Sequence, residues 1–168
     1  MLDDEKTSLT VCLIGITDGN KILLVKRKRD PYYGYWGLLG GRPIFGEKVY
    51  EVAKREVMEE TGFSIKNNMT INGTYSEILL NGKNEPKEHF LFVTIKAELN
   101  KNLERKKETE DTDIEDFKWF DLPINEKNAK KIIPTDLIML NNFNSNKLIF
   151  KEFVMKENGN ELKIVDVI

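Results

Sequence analysis

The feature that most constrains the fold is residues 47–60, which combine an apolar stripe with a cluster of acids. The apolar residues recur at the three- and four-residue spacing of one helix face, namely Val49, Val52, Ala53 and Val57. Glu56, Glu59 and Glu60 stand at i, i+3 and i+4, so a helix brings their carboxylates together. Because like charges at this spacing repel each other, the cluster destabilises the helix unless a cation lies between them. The segment therefore predicts an amphipathic helix with Gly62 as its C-terminal stop. Its acidic face is either a solvated surface or a cation site.

The residue types restrict which cation this is and which chemistry it serves. Carboxylate oxygens select Mg²⁺, Mn²⁺ or Ca²⁺ over zinc. The chain has one cysteine, Cys12, and one histidine, His89, so a His/Cys zinc cage is excluded and a Ser-His-Asp or Cys-His hydrolase would depend on His89 alone. Ahead of the helix, residues 37–41 are rich in glycine, which lets bare backbone approach a ligand. A metal beside such a loop suits phosphoryl chemistry, because it neutralises phosphate oxygens and lowers the pKa of a bound water.

Residues 41–63 match one known motif at every position. They read Gly41-x5-Glu47-x7-Arg55-Glu56-Val57-x-Glu59-Glu60-x-Gly62-Phe63. This resembles the Nudix box, G-x5-E-x7-R-E-U-x-E-E-x-G-U with U apolar. The preceding hairpin, the Trp-Gly step at 36–37 and the Trp-Phe step at 119–120 are also similar to the Nudix arrangement, so the resemblance covers about residues 8–142. It implies an α+β fold, the Nudix α/β/α sandwich with a mixed sheet.

The resemblance also implies an activity and a set of site residues. The activity is Mg²⁺-dependent hydrolysis of a nucleoside diphosphate linked to another group, with Mn²⁺ as the alternative cation. The implied metal ligands are Glu56, Glu59, Glu60 and the backbone carbonyl of Gly41 or its neighbour Gly40. Arg55 resembles the arginine that orients a glutamate, and Glu47 the accessory acid near the metal. A later acid often completes such a site as ligand or base, and the candidates are Glu110, then Asp113, with Glu108 and Asp111 in the same region.

The segment after the second predicted strand supplies candidates for substrate binding. Arg27 and Arg29 are placed to bind phosphates as planar bidentate donors, and the alternative is a solvated strand end. Aromatic side chains suited to stacking on a nucleobase follow, namely Tyr32, Tyr33, Tyr35 and Trp36. The alternative for the tyrosines is loop packing against the sheet, and for Trp36 the core is favoured. His89 and Cys12 are expected to have structural roles.

The remaining patterns predict one domain of α+β type. Strands are expected at residues 9–16, 21–26, 69–80, 89–99 and 117–120, and a second helix at 134–140. Residues 101–116 are dominated by charge and predict an exposed loop. A core of about residues 8–142 is followed by an extension, about residues 143–168, with the pattern of a β-hairpin. Its apolar content predicts that it covers a sheet edge or forms a homodimer contact.

The net charge and the lack of membrane signals disfavour nucleic acids and membranes as partners. With 26 basic and 28 acidic side chains the formal charge is −2, which disfavours nucleic acid as a partner. The acidic N-terminus lacks a signal-peptide layout, and no apolar stretch approaches the roughly 18–20 residues of a membrane span, so no membrane association and a cytoplasmic location are expected.

Nucleoside triphosphates, oxidised nucleotides and nucleotide sugars such as ADP-ribose are the expected substrates. Pro86 lies too late after the box to match the proline of ADP-ribose-cleaving relatives, which favours a nucleoside triphosphate or another diphosphate derivative. The alternative is a non-catalytic Nudix module that senses a nucleotide or docks a partner.

Overall fold

The computed structural model describes residues 7–101, 114–124, 131–143, 145 and 147–168. Its strands are β1 (Leu9–Asp18), β2 (Lys21–Arg27), β3 (Trp36–Gly37), β4 (Leu39–Gly41), β5 (Thr70–Leu80), β6 (Pro86–Glu98), β7 (Ile114–Asp121), β8 (Ile149–Asn158) and β9 (Glu161–Val167). Its helices are α1 (Val49–Thr61) and α2 (Pro134–Asn142). Neither of these two helices is long and apolar enough to cross a membrane. Each predicted strand and helix is observed, with ends that differ by a few residues because hydrogen bonding, rather than the apolar pattern, sets where an element stops.

The strands form one mixed sheet with β1 near its middle. The order is β3-β2-β1-β6-β5-β8-β9, while β4 pairs with β1 and β7 pairs with β2. β1 runs parallel to β6 and antiparallel to β2 and β4. β5 lies antiparallel to β6 and parallel to β8. The mixture of parallel and antiparallel pairs, with helices packed against them, confirms the predicted α+β class.

The two helices cover opposite faces of the sheet. The apolar stripe of α1, with Val52 and Val57 fully buried, packs on one face in a cluster with Ile14 and Leu39. α2 packs on the other face in a second apolar cluster. The larger side chains of this cluster include Leu24, Tyr75, Phe92, Met139 and Phe153. Gly62 ends α1 with φ at 71°, and its N–H donates to the carbonyl of Met58 at 3.0 Å. These layers are the predicted sandwich, and they place the acidic side of α1 next to β4.

The C-terminal hairpin extends the sheet at the free side of β5. β8 pairs with β5 over eight residue pairs, and β9 returns antiparallel to β8. Phe153 and Met155 are buried, and the Phe153 ring stacks on Tyr75 with centroids 5.8 Å apart. The hairpin therefore covers a sheet edge, one of the two roles expected for it.

Candidate active site

Arg55 is the centre of the polar network at the start of α1. Its Nε and Nη2 donate to the two carboxylate oxygens of Glu47 at 2.8 and 2.9 Å. Its Nη1 donates to Glu56 Oε1 at 2.6 Å and to Glu59 Oε2 at 3.1 Å. The remaining bond of Nη2 goes to the carbonyl of Arg42 at 3.1 Å. One guanidinium thus joins the loop before α1 to two of the three acids in the predicted cluster.

The same contacts set the protonation of the acids. The Arg55 guanidinium lowers the pKa of Glu47 to about 2, and the Ile44 N–H, 3.0 Å from Glu47 Oε2, acts in the same direction. Burial raises the pKa of Glu56, while its hydrogen bond to Arg55 opposes that shift. Glu47 therefore stays ionised at neutral pH and holds the orientation of Arg55.

The backbone of β4 approaches the Glu56 carboxylate so closely that a side chain at residue 41 would displace it. A Cβ added at Gly41 would lie 2.0 Å from Glu56 Oε1. Glu60 is buried and lines the same space as Gly41 and Glu56, while the Glu59 side chain is 53% exposed. Within the described ranges, no three Asp, Glu, His or Cys side chains converge into a ready metal cage. The donor set of carboxylates beside a bare carbonyl nevertheless fits a hard divalent cation.

A cleft of about 480 Å³ begins at this acidic corner and runs along the sheet. Its acidic end is formed by Gly40, Gly41, Glu56 and Glu60. Its apolar walls are Val11, Leu13, Pro31, Leu38, Phe90, Phe92 and Ile133. Its other polar side chains are Arg27, Arg29, Asp30, Tyr32, Arg42 and Asp136. The cleft can therefore accept a molecule that has an anionic, metal-binding part and a planar or apolar part.

Two buried acids lie at or beside the cleft, and neither belongs to the sequence motif. Asp136 lines the cleft, and Glu77 is bonded to the lining residue Tyr32. Asp136 accepts the Leu38 N–H on Oδ2 at 2.6 Å, and its complete burial raises its pKa to about 7. Glu77 is 1% exposed, accepts the Tyr32 hydroxyl on Oε1, and has a raised pKa because of its burial. The charge of Glu77 also raises the pKa of Asp136, and that of Arg27 lowers it. The available signal was weak: an acid in an apolar strand and another in the first turn of a helix.

The predicted substrate-binding residues divide into two groups. Arg27 and Arg29 line the cleft. Tyr33 is 67% exposed and Tyr35 bonds to the C-terminal hairpin; neither lines the cleft, whereas Tyr32 does. Glu110, Glu108, Asp111 and Asp113 all lie outside the described residues.

The residues expected to have structural roles lie outside the lining of the cleft. Trp36 packs edge-on against Phe120 with centroids 5.3 Å apart, in the core as favoured. Cys12 is fully buried in β1. His89 lies between the hydroxyls of Ser8, at 2.8 Å, and Ser76, at 3.1 Å, away from the cleft lining.

Comparisons with known proteins identify the family and the fold. A family model described as NUDIX domain matches residues 6–138. An ADP-ribose pyrophosphatase of Methanocaldococcus jannaschii is 46% identical over 61 residues, 36% of this chain and 36% of that protein. A putative 8-oxo-dGTP diphosphatase of Bacillus subtilis is 37% identical over 83 residues, 49% of this chain and 50% of that protein. The matched segments thus span half or less of these curated relatives. The crystal structure of a MutT protein from Bacillus halodurans has a TM-score of 0.70 at 21% identity and covers 95% of this chain and 96% of its own, which shows a shared fold.

Proposed function

The chain belongs to the Nudix family, and on that basis we propose that it hydrolyses the diphosphate bond of a nucleoside diphosphate derivative. The observation that carries the proposal is the cleft, which joins the corner of Gly41 and Glu56 to an apolar chamber. A nucleoside diphosphate derivative has the matching halves, an anionic diphosphate and a planar base. The names of the two curated relatives, for ADP-ribose and 8-oxo-dGTP, support this class of substrate.

The acidic corner is proposed to hold a divalent cation through Glu56, Glu59, Glu60 and the Gly41 carbonyl. Mg²⁺ is the proposed ion and Mn²⁺ the alternative, because both prefer oxygen ligands. When bound, such an ion neutralises phosphate oxygens and lowers the pKa of a coordinated water. Arg55 holds Glu56 and Glu59 in position, and Glu47 holds Arg55.

A second task at this corner is to accept the proton of the attacking water. Glu59 and Glu56 are the proposed acceptors among the described residues. The exposed side chain of Glu59 is accessible to water. Glu110 remains the acid predicted from the sequence to complete the site.

The rest of the cleft is proposed to bind the remainder of the substrate. Arg27 and Arg29 supply bidentate donors for phosphate oxygens. The Tyr32 and Phe90 rings, with centroids 6.4 Å apart, supply apolar faces for a planar base. Asp136 adds a polar group to this wall.

The deciding experiment measures phosphate, pyrophosphate and nucleotide release, with and without Mg²⁺. The panel contains nucleoside triphosphates, oxidised nucleotides, ADP-ribose, nucleoside diphosphate sugars and dinucleoside polyphosphates. Glu59→Gln serves as the inactive reference. Glu51→Gln is the matched control, because Glu51 is an exposed acid on the same helix. The side-chain oxygen of the new glutamine can still accept the Lys48 N–H.

Turnover that requires Mg²⁺ and falls by about 10²–10³ in Glu59→Gln supports the proposal. Unchanged substrates, combined with nucleotide binding in a thermal-shift assay, would favour the non-catalytic sensing module instead. A cytoplasmic location and a homodimer remain predictions of the sequence. Light scattering on the purified chain tests the second of these.

A further inference from the structure

The wall loop, residues 28–35 between β2 and β3, forms one side of the cleft. It contributes Arg29, Asp30, Pro31 and Tyr32 to the lining. The Arg27 N–H donates to the Tyr35 carbonyl at 2.8 Å, and the Gly34 N–H donates to the Arg27 carbonyl at 2.9 Å. These bonds join the loop to itself and to the end of β2. The position of the loop against the rest of the protein therefore depends on its side-chain contacts.

Tyr35 fastens the wall loop to the C-terminal hairpin. Its hydroxyl donates to the carbonyl of Asn160 at 2.9 Å and accepts the N–H of Leu162 at 3.3 Å. Both partners are backbone groups where β8 turns into β9, so the bonds fix the position of the hairpin itself. Apolar contacts accompany them, since Tyr32 and Tyr35 pack in one cluster with Met155, Leu162 and Ile164. The hairpin lies beyond residues 6–138, the part matched by the family model.

A second hydrogen bond, made by Tyr32, joins the same loop to the sheet. Tyr32 has φ at 73°, a left-handed conformation that is unfavourable for an aromatic residue and persists only where surrounding contacts enforce it. Its hydroxyl donates to Glu77 of β5, the strand on which β8 pairs. The two tyrosines thus join the wall loop to adjacent parts of the extended sheet.

We propose that Tyr35 is a positioning residue for substrate binding, and that it acts by fastening the wall loop to the C-terminal hairpin. The fastened loop keeps Arg29 and Tyr32 at the cleft. The hairpin is then part of the machinery that binds substrate, although it contributes no lining residue. The nature of the ligand rests on the proposed function, but the mechanical link between loop and hairpin does not.

Tyr35→Phe tests the link, because it removes the hydroxyl and keeps the ring in its cluster. Amide hydrogen exchange is expected to become at least about threefold faster in peptides covering residues 28–36, with α1 unchanged. Binding of ADP, measured by calorimetry, is expected to weaken about three- to tenfold, the effect of one or two neutral hydrogen bonds. On a substrate found by the panel, KM is expected to rise by the same factor while kcat stays within about twofold.

Lys163→Ala is the matched control, since this exposed residue of β9 pairs with Glu161 and leaves the Tyr35 bonds in place. It should leave exchange, ADP affinity and KM unchanged. Unchanged exchange in the wall loop of Tyr35→Phe overturns the proposal. An equal increase of exchange over the whole chain, or a fall in kcat at constant KM, also overturns it. If the proposed function is wrong, the wild type shows no turnover. Hydrogen exchange and ADP affinity then test the link between loop and hairpin without the kinetic measurement.

Discussion

Glu47 accepts hydrogen bonds from two nitrogens of the Arg55 guanidinium, Nε at 2.8 Å and Nη2 at 2.9 Å. This bidentate pair fixes the plane of the guanidinium, so its third nitrogen is aimed at Glu56 and Glu59. A residue ahead of the helix thereby controls the direction of two carboxylates that lie about two and three turns along it.

Arg55→Lys is expected to lower kcat/KM and Mn²⁺ affinity by about 10–100-fold, the usual effect of removing an outer partner of metal ligands. A lysine keeps the charge but cannot form the fork on Glu47 and also reach Glu56. Steady-state kinetics and Mn²⁺ titration measure the two losses. Lys54→Ala, at an exposed neighbouring position on α1, is the control. A loss below about threefold in Arg55→Lys would show that the fork is not needed.

Gly41→Ala tests the close contact between β4 and α1. The new methyl group would overlap the Glu56 carboxylate, because the ideal Cβ position is 2.0 Å from Oε1. Either β4 or Glu56 must move, and a displacement of about 1 Å at a reacting centre can cost about a hundredfold in rate. Gly82→Ala is the control, since its added Cβ meets only Asn158, at 4.0 Å. Full activity in Gly41→Ala, measured with the substrate that the panel identifies, would contradict the tight packing of Gly41 against Glu56.

The local parts of this structure were predictable from sequence and the remote parts were not. Helix α1 and its acids, predicted at residues 47–60 and observed at Val49–Thr61, follow from the spacing of neighbours along the chain, and so do the hairpins. Which tyrosine enters the cleft depends on the backbone of the wall loop, where Tyr32 has a positive φ that the sequence does not signal. The sequence offers Tyr32, Tyr33 and Tyr35 alike as residues that could stack on a base, and of these three only Tyr32 lines the cleft.

The buried acids illustrate the same limit. Glu77 and Asp136 are 59 residues apart in sequence, and each is buried among elements that are distant along the chain. Glu77 lies on β5 between β6 and β8, and Asp136 on α2 accepts the Leu38 N–H. Neither acid belongs to a motif. Contacts between elements that are distant along the chain thus determine the apolar end of the cleft, while one continuous segment determines the acidic end.

Asp136→Asn is expected to remove part of the pH dependence of stability. Burial raises the pKa of Asp136 from 3.8 to about 7 in the folded state, so the folded chain holds a proton that the unfolded chain releases. The contribution of Asp136 to the free energy of unfolding therefore falls by an amount on the order of a few kcal/mol between about pH 4 and pH 7, and it levels off above pH 7. An amide does not titrate, and its oxygen can still accept the Leu38 N–H.

Urea unfolding of both proteins at pH 5.0, 6.0, 7.0 and 8.0 measures this effect. The stability of Asp136→Asn relative to the wild type should increase steadily with pH up to about 7. Because the charge of Glu77 raises the pKa of Asp136, the difference between the two curves reports the coupled pair. Parallel stability curves would mean that Asp136 is ionised throughout the range.

Phe153→Ala is expected to destabilise the whole domain, because the hairpin shares the main core. Phe153 is 1% exposed, and its ring stacks on Tyr75 at an interplanar angle of 10°. Replacing a buried phenylalanine by alanine costs about 3–5 kcal/mol. Phe150→Ala on the same strand is the control, since Phe150 is 65% exposed and its loss should cost less than about 1 kcal/mol. One cooperative unfolding transition at a lower urea concentration is expected for Phe153→Ala, followed both by tryptophan fluorescence and by circular dichroism. Two separate transitions, with the tryptophan signal unchanged in position, would show that the hairpin unfolds independently of the sandwich.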